Sequence, residues 1–510
     1  MNPARAKAQQ RIPFLIFLSL YLLFSFLTYR DYGATWDEQE AYQGGTALYN
    51  YVVHGVKPAY FDPEHSYPYT FLLNFITSKI DFEFFHLLNL LFAAFIFWAI
   101  FETLLAQYGK PWWALAGPIF LFFNLPFLGS IPANPKDVPF AIFYFLSLAA
   151  IYLFEEKIPR LKVRWAVLGF LFGFTIASRI VGLTLFPILI IFDGYVYWTG
   201  KNKRGPKNFK AWFKGKALDW VGVLVVSQIF CMLLWPFLGQ SYFSNLATIF
   251  WLSAHFPPKF GILFMGGMTD SLTYPWYYLP LWIAITTPLF ILGFFTFSLI
   301  RFKISKTNKL YVLLGGTFFL NMGLYLFLHP AIYDGLRHFL FLLPILSTLA
   351  AFTFIEYFDK KTFSFLRKAI GFLTLLSIGV SGSHLVRLHP YEYVYFNEFV
   401  GGFKGAYEKY ETDYWVASMK ESLDWIKVNG LKDPLRIYKI FALGHPPQFE
   451  FYFPLCYFGP DIEPVATVDE ADYSIVMTRA GIKPDPKDEG KIIHRVEREG
   501  APLCFILKLR

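Results

Sequence analysis

Cysteine is scarce in this chain of 510 residues, which has three. Cys231 lies in an apolar run, so the chain could form one disulfide at most, between Cys456 and Cys504. This disulfide requires that the tail of the chain faces an oxidising compartment. No group of His and Cys has the spacing of metal ligands, and two adjacent acids do not make a dedicated metal site. The sequence therefore indicates no cofactor and leaves only a divalent cation open.

Charged residues are also few, at 16% of the chain, against 55% hydrophobic and 21% aromatic residues. This composition excludes an ordinary soluble enzyme. Apolar runs of about 20 residues recur, each long enough to cross a hydrocarbon core of about 30 Å. The predicted spans are roughly 12–29, 84–105, 111–129, 138–154, 162–179, 181–198, 217–237, 279–300, 310–329, 338–357 and 366–386.

Basic residues lie between these runs, so the net charge of +9 does not indicate nucleic-acid binding. Residues 201–216 hold seven Lys or Arg and no acid, as expected of a cytoplasmic loop. No small-residue cleavage site follows the first run, which we expect to stay as an anchor. The loops predicted outside are 30–83, 130–137, 238–278 and 330–337, with all residues after 387. The pattern predicts a multi-pass protein of the cell (cytoplasmic) membrane.

The character of the chain changes near residue 387, from apolar runs to the mixed pattern of a soluble α/β segment. We therefore predict an α-helical polytopic membrane domain at 1–386 and a small extracytoplasmic α/β domain at 387–510. The elements predicted in the second domain are a helix at Tyr414–Asn429 and strands at Leu435–Leu443, Phe449–Phe458, Tyr473–Met477 and Leu503–Leu509.

Two adjacent acids, Asp37 and Glu38, follow directly on the first span. Carboxylates are costly to keep ionised at a membrane interface, so such residues are functional candidates. A structural alternative is that Asp37 caps the start of a helix, together with Glu40 three residues on, in the manner of a capping box. That helix would run to about His54. The two interpretations are compatible, because a capping residue can also be a base.

The other outside loops supply cations and further polar residues. Lys136, Arg337 and His338 suit an anionic headgroup such as a phosphate. The remaining candidates for substrate binding are Asp137, Glu64, His65, Tyr277, Tyr278 and Asp334. Each has a structural alternative: the cations could be interface anchors, Asp137 a helix cap, His65 a solvated loop residue, and the tyrosines part of an aromatic belt.

Together these residues favour one kind of substrate, with a phosphate at the membrane surface and an apolar tail between the spans. A polyprenyl-phosphate sugar has this shape, and its transfer to an acceptor hydroxyl needs a base and cations. The main alternative is a transporter or flippase of lipid-linked sugars. Transporters typically have charged residues near mid-bilayer and two related halves, whereas this chain has no internal repeat. The strongest support for a transporter is Arg179, which lies at a span end.

Several motifs, in order along the chain, carry a resemblance to a known group. They are Asp37-Glu38 after the first span, NPKDVPF at 134–140, Pro275-Trp276-Tyr277-Tyr278-x-Pro280, Tyr333-Asp334-Gly335-x-Arg337-His338, and the tail from His389-Pro390-Tyr391-Glu392-Tyr393 to Tyr414-Trp415. On these motifs the chain resembles polytopic glycosyltransferases of the GT-C type, from the bacterial protein O-mannosyltransferase and aminoarabinose-transferase-like group (family 39). The similarity spans residues 12 to about 420.

The resemblance implies an inverting hexosyl- or pentosyltransferase that uses a polyprenyl-phosphate sugar. It assigns Asp37 as the general base and gives Glu38 the role of holding the loop or the acceptor. Where many relatives carry a paired-proline segment with a Lys or His, this chain has Glu64-His65-Ser66-Tyr67-Pro68. The acceptor implied is a glycolipid, a polysaccharide or a protein, as in lipopolysaccharide modification or protein glycosylation of the cell envelope.

Overall fold

The computed structural model describes most of the chain. The described residues are 9–58, 62–63, 66–77, 81–156, 161–200, 209–254, 261–300, 308–359, 364–433, 435–443 and 461–510. Glu64, His65 and Cys456 lie outside them, as does the predicted strand Phe449–Phe458.

Apolar helices dominate the first three quarters of the chain. Within the described residues, seven are long and apolar enough to cross a membrane: Phe82–Tyr108, Asp137–Glu155, Leu161–Ser178, Ile180–Gly200, Phe209–Leu234, Lys309–Leu328 and Phe365–Leu388. Shorter apolar helices are Ile12–Thr28, Pro111–Phe122, Leu289–Ile300 and Leu342–Phe358. Each predicted span overlaps one of these helices, and seven of the spans have a helix of full spanning length.

The remaining helices are shorter or amphipathic. They are Trp36–His54, Pro68–Leu73, Leu125–Ser130, Pro236–Gln240, Tyr242–Ala254, Tyr278–Thr286, Gly402–Ala406 and Met419–Asn429. Single 3-10 turns occur at Arg337–Phe339, Glu392–Val394, Glu398–Val400, Val468–Glu470, Arg479–Gly481 and Pro486–Lys491.

The predicted span 279–300 is broken at Pro288 into two helices. Proline has no N–H to donate, so carbonyl groups of the preceding turn lose their helical partners. The side chain of Asn397 donates hydrogen bonds to the carbonyl oxygens of Ala284 and Thr287, at 2.7 and 2.8 Å. The segment after the last span thus fixes this break from outside the helix.

The helix Trp36–His54 begins two residues earlier than a cap at Asp37 would place it. Thr35 is the N-cap, and the Glu38 carboxylate accepts a hydrogen bond from the Thr35 backbone N–H at 2.7 Å. The predicted capping pair, Asp37 with Glu40, is therefore wrong. The Asp37 carboxylate therefore does not cap this helix.

A five-stranded mixed sheet forms the last part of the chain, with the helix Met419–Asn429 packed on it through Ser422 and Cys504. A hairpin, β1 (Gly261–Phe264) and β2 (Gly267–Asp270), precedes the sheet in sequence. The sheet strands are β3 (Tyr438–Leu443), β4 (Ile462–Pro464), β5 (Tyr473–Met477), β6 (Ile492–Arg498) and β7 (Ala501–Lys508), in the order β4-β3-β5-β7-β6. β3 pairs in parallel with β4 and β5, whereas β7 is antiparallel to β5 and β6.

Two features of this region differ from the sequence prediction, namely the set of strands and the start of the helix. The strands β4 and β6 and the hairpin were not predicted, because they are short or carry alternating charges. The helix starts at Met419 rather than at Tyr414, since the buried Asp413 side chain accepts hydrogen bonds from the Ala417 N–H and the Ser418 hydroxyl and holds 414–418 as a turn. Cys504 is a buried thiol, and its pairing with Cys456 stays a prediction.

Candidate active site

Asp37 lies in the first turn of the helix Trp36–His54, where the exposed amides of a helix start favour a negative charge. Its carboxylate is 3.0 Å from Nη1 of Arg337 and 3.6 Å from Nζ of Lys136. These three residues come from three different loops that were predicted on the same membrane side. The structure thus brings the proposed base and two of the three proposed phosphate ligands, Lys136 and Arg337, together at one end of the helical bundle.

Lys136 and Asp137 are positioned by the asparagine that precedes them. The Asn134 Oδ1 accepts hydrogen bonds from the backbone N–H groups of Lys136 and Asp137, at 3.2 and 2.8 Å. Asn134 therefore satisfies the amides at this helix start, and the prediction of Asp137 as the cap is wrong. The Asp137 carboxylate is buried and turned to Arg179, with which it forms an ion pair.

Arg337 is the centre of the cluster, with a side chain that is 5% exposed. Its guanidinium contacts three carboxylates: Asp334 at 2.8 Å, Asp37 at 3.0 Å and Asp137 at 3.8 Å. The ring of Tyr333 lies beside it, 5.2 Å from Cζ. A buried arginine with this many acid partners is not an interface anchor, which would extend to the headgroup region.

Each of the three acids around Arg337 also has a second cation. Asp37 has Lys136 at 3.6 Å. The outer oxygen of Asp334 is 3.1 Å from Nη2 of Arg479, and Asp137 pairs with Arg179. We call these seven residues the charge cluster: Asp37, Lys136, Asp137, Arg179, Asp334, Arg337 and Arg479. Arg179, the best support for a transporter in the sequence, is thus an ion-pair partner of Asp137.

Lys136 remains charged although it is largely buried. Burial lowers the pKa of its amine, but the carboxylates of Asp37 and Glu40 outweigh burial and raise the pKa above its ordinary value. Glu40 lies 3.1 Å from Nζ and also accepts a hydrogen bond from the Tyr67 hydroxyl. Lys136 is therefore a fixed positive charge between two acids.

Asp334 and Gly335 form a turn in which both residues have positive φ, at 57° and 67°. Glycine adopts this conformation freely and aspartate tolerates it better than most residues. The turn directs the Asp334 carboxylate inward between Arg337 and Arg479. Burial raises the pKa of Asp334, and the two arginines oppose that shift.

Arg479 reaches the cluster from the C-terminal sheet, in the turn that follows β5. Ala480 and Gly481 have positive φ, at 51° and 75°, and the Thr478 hydroxyl donates to the carbonyl of Leu503 at 2.9 Å. The guanidinium of Arg479 lies 3.6 Å from the ring centroid of Trp36. Nothing in the local sequence distinguishes Arg479 from other basic residues of the tail, so sequence analysis missed it.

Glu38 points away from the cluster and into the core. Its side chain is fully buried, and Oε1 lies 3.1 Å from Nε2 of His86 while Oε2 accepts from the Thr35 N–H. The Tyr42 hydroxyl is 3.5 Å away. This geometry supports the role of holding the loop rather than of binding an acceptor.

The remaining candidates among the described residues are His338, Tyr277 and Tyr278. The His338 ring packs edge-on against Tyr333, with 4.6 Å between centroids. Tyr278 is fully buried, with its ring 4.8 Å from that of Phe264 in β1, whereas Tyr277 is 38% exposed. Of the aromatic pair, Tyr278 therefore belongs to the wall behind the cluster and Tyr277 faces outward.

Glu411 is a buried acid next to the cluster that the sequence did not single out. Its Oε2 is buried with no hydrogen-bond partner among the described residues. Burial and the nearby Asp334 carboxylate raise the pKa of Glu411 to about 8, although Arg479 opposes the shift. Glu411 therefore keeps its proton to a higher pH than an exposed glutamate does.

The raised pKa of Glu411 predicts a pH-dependent stability. The unfolded chain releases this proton near pH 4.5 and the folded protein near pH 8, so the free energy of unfolding should fall as pH rises through that window. Glu411→Gln, which stays neutral, should reduce this fall and raise the thermal midpoint in detergent at pH 9. Glu489→Gln, at an exposed acid, is the control and should leave the pH profile unchanged. A Glu411→Gln profile identical to that of the wild type would contradict the assignment.

Metal sites and cavities add little to this picture. No group of three or more His, Cys, Asp or Glu among the described residues is arranged to hold a metal ion. An apolar cavity of about 540 Å³ lies between the helices Leu289–Ile300 and Phe365–Leu388, and Glu398 is the acid in its lining. No residue of the charge cluster lines this cavity, so it does not mark the reacting groups.

No protein-family model matches the sequence, and a comparison with curated proteins finds no match. Solved structures do match. ArnT from Cupriavidus metallidurans bound to undecaprenyl phosphate is 11% identical, with a TM-score of 0.52 and 98% of each chain covered. Its apo form gives a TM-score of 0.49 at the same identity and coverage.

An archaeal oligosaccharyltransferase, AglB from Archaeoglobus fulgidus in complex with an inhibitory peptide and a dolichol-phosphate, is also 11% identical. Its TM-score is 0.48, and the match covers 92% of this chain and 69% of that chain. At such identities a structural match establishes the fold alone. The match to the ArnT complex extends over nearly the whole chain. The protein is a multi-pass membrane protein with the GT-C polytopic glycosyltransferase fold.

Proposed function

We propose that the protein transfers a sugar from a polyprenyl-phosphate-linked donor to an acceptor hydroxyl on the extracytoplasmic face of the membrane, with inversion at the anomeric carbon. The observation that carries this proposal is the position of Asp37, within 3.0 Å of Arg337 and 3.6 Å of Lys136. A carboxylate beside two cations is what the reaction requires of the protein. The motifs favour the bacterial group of family 39.

In the reaction, the acceptor oxygen forms a bond to the anomeric carbon while the bond from that carbon to the phosphate oxygen breaks. Asp37 takes the proton of the acceptor hydroxyl, and the bonding electrons leave with the lipid phosphate. The phosphate thereby gains one negative charge. Lys136 and Arg337 stabilise that charge as it develops, which lowers the barrier.

Undecaprenyl phosphate and dolichol-phosphate are bound in the structures of ArnT and AglB, respectively. This supports a polyprenyl-phosphate lipid as the carrier for the present chain. The long apolar helices supply an environment in which the tail of such a lipid is soluble.

The direct test is mass spectrometry of membrane lipids and glycoconjugates from cells with and without the gene. Loss of the enzyme should lead to accumulation of a polyprenyl-phosphate sugar, and the mass would name the donor. The glycoconjugate that lacks the sugar would name the acceptor. Unchanged lipid and glycoconjugate profiles would contradict the proposal.

The proposed topology, with eleven spans, places every residue after 387 on the extracytoplasmic side of the membrane. The seven Lys and Arg residues of 201–216 on the opposite side support it. A reporter that works only in the cytoplasm, fused after Arg510, should therefore be inactive, and the same reporter inserted within 201–208 should be active. The reverse result would place the charge cluster on the cytoplasmic side.

A further inference from the structure

In the arrangement described, carboxylates face two of the three nitrogen atoms of the Arg337 guanidinium. Nη1 already contacts Asp334 and Asp37, at 2.8 and 3.0 Å, and Nε faces Asp137 at 3.8 Å. An anion that binds to this guanidinium through Nη1 or Nε therefore competes with at least one of these carboxylates. A buried carboxylate left without a cation would be strongly unfavourable.

The second cations of the cluster remove this difficulty. Each acid would still have an ion-pair partner after it lost its contact with Arg337. These partners are Lys136 for Asp37, Arg179 for Asp137 and Arg479 for Asp334. Arg479 also has an anchor of its own, since it stacks on the Trp36 ring at 3.6 Å and does not depend on Asp334 for its position.

We propose that the charge cluster is an ion-exchange site, in which Arg479 and Arg179 keep Asp334 and Asp137 paired while the anionic headgroup of a polyprenyl phosphate replaces these acids on Arg337. Arg479 and Arg179 are thus positioning residues, and the C-terminal domain takes part in binding through Arg479. This inference rests on the proposed function, because it takes Arg337 as the ligand of the lipid phosphate.

The exchange also explains how the base becomes available. In the described arrangement Asp37 is shared between Arg337 and Lys136. A phosphate on Arg337 would partly neutralise the guanidinium that faces Asp37, so the pKa of Asp37 would rise and its carboxylate would accept a proton more readily. Binding of the donor would then precede activation of the acceptor.

The test measures the affinity of the purified full-length protein, in lipid nanodiscs, for undecaprenyl phosphate. Arg479→Met should weaken binding by about tenfold, because Asp334 would then hold Arg337. Asp334→Asn in the same chain should restore the affinity, since no displaced carboxylate remains to be paired. Asp334→Asn alone should bind more tightly than the wild type, because this carboxylate no longer competes with the headgroup for Arg337.

The control is Arg436→Met, which removes an arginine that pairs with Asp472 within the C-terminal domain, away from the cluster. It should not change the affinity. If Arg479→Met destabilises the protein, the matched pair Arg179→Met and Arg179→Met with Asp137→Asn tests the same exchange on the other acid, with the same loss and recovery expected.

The outcomes separate this inference from the proposed function. Binding by the wild type that is lost in Arg337→Ala but unchanged in Arg479→Met and Arg179→Met would overturn the exchange alone. A loss in Arg479→Met that Asp334→Asn does not restore would also overturn it, because Arg479 would then contact the lipid or hold the fold. A wild-type protein that does not bind undecaprenyl phosphate would overturn the donor class and the exchange together.

Discussion

Asp37→Asn is expected to leave the protein folded and able to bind its donor, but to slow sugar transfer at least about a hundredfold. Positioned general bases typically contribute about 10²–10⁴-fold, and an amide cannot take the proton of the acceptor hydroxyl. The helix start is unaffected, because Thr35 and Glu38 form its cap. Removal of one negative charge beside Arg337 should not weaken the binding of an anionic donor.

The measurement compares turnover and undecaprenyl-phosphate affinity of Asp37→Asn with those of the wild type. Glu83→Gln is a matched control, because Glu83 is an acid at the same end of the bundle that is half exposed and lies outside the charge cluster. It should retain wild-type turnover. An Asp37→Asn enzyme of full activity would exclude Asp37 as the base and return the search to Glu64.

Arg337→Ala is expected to weaken donor binding by about tenfold to a hundredfold and to slow transfer at least as much. Charge-assisted contacts contribute about 1.5–3 kcal/mol, and this guanidinium would also stabilise the leaving phosphate. Arg337→Lys should remain impaired, since an ammonium group cannot reproduce contacts made by both Nη1 and Nε. Lys136→Ala should show a loss of the same kind.

Arg387→Ala is the control for this prediction. Arg387 lies at the end of the last long helix, with a side chain that is 56% exposed, and therefore represents an arginine of the interface. It should bind undecaprenyl phosphate with wild-type affinity. If Arg337→Ala behaved in the same way, the phosphate ligand would have to be another cation of the cluster.

The sequence predicted well those features that depend on local composition. A run of about 20 apolar residues must lie in a membrane or in a core, so each predicted span overlaps an apolar helix. It predicted the break at Pro288 poorly, because a gap of one turn does not interrupt hydrophobicity. The short strands β4 and β6 were missed for a related reason, since a strand of three residues or one with alternating charges lacks an apolar signal.

The sequence by itself also placed Asp37, Lys136 and Arg337 in loops predicted on one membrane side, because alternation of spans fixes the side of every loop. Which acid faces which cation depended on the tertiary structure. Asp37 and Glu38 are neighbours in sequence, yet successive helical residues point about 100° apart, so one meets Arg337 and the other meets His86.

Only the tertiary structure decided the contribution of the C-terminal sheet. Arg479 and Asp334 are 145 residues apart, and their contact depends on how the sheet packs against the helices. Positive φ values at Asp334 and Ala480 shape the two turns that present the side chains of Asp334 and Arg479. No local pattern in the sequence predicts these backbone conformations. Hydrophobicity is a property of the residues themselves and can be read along the chain, whereas pairing of buried charges is a property of the fold.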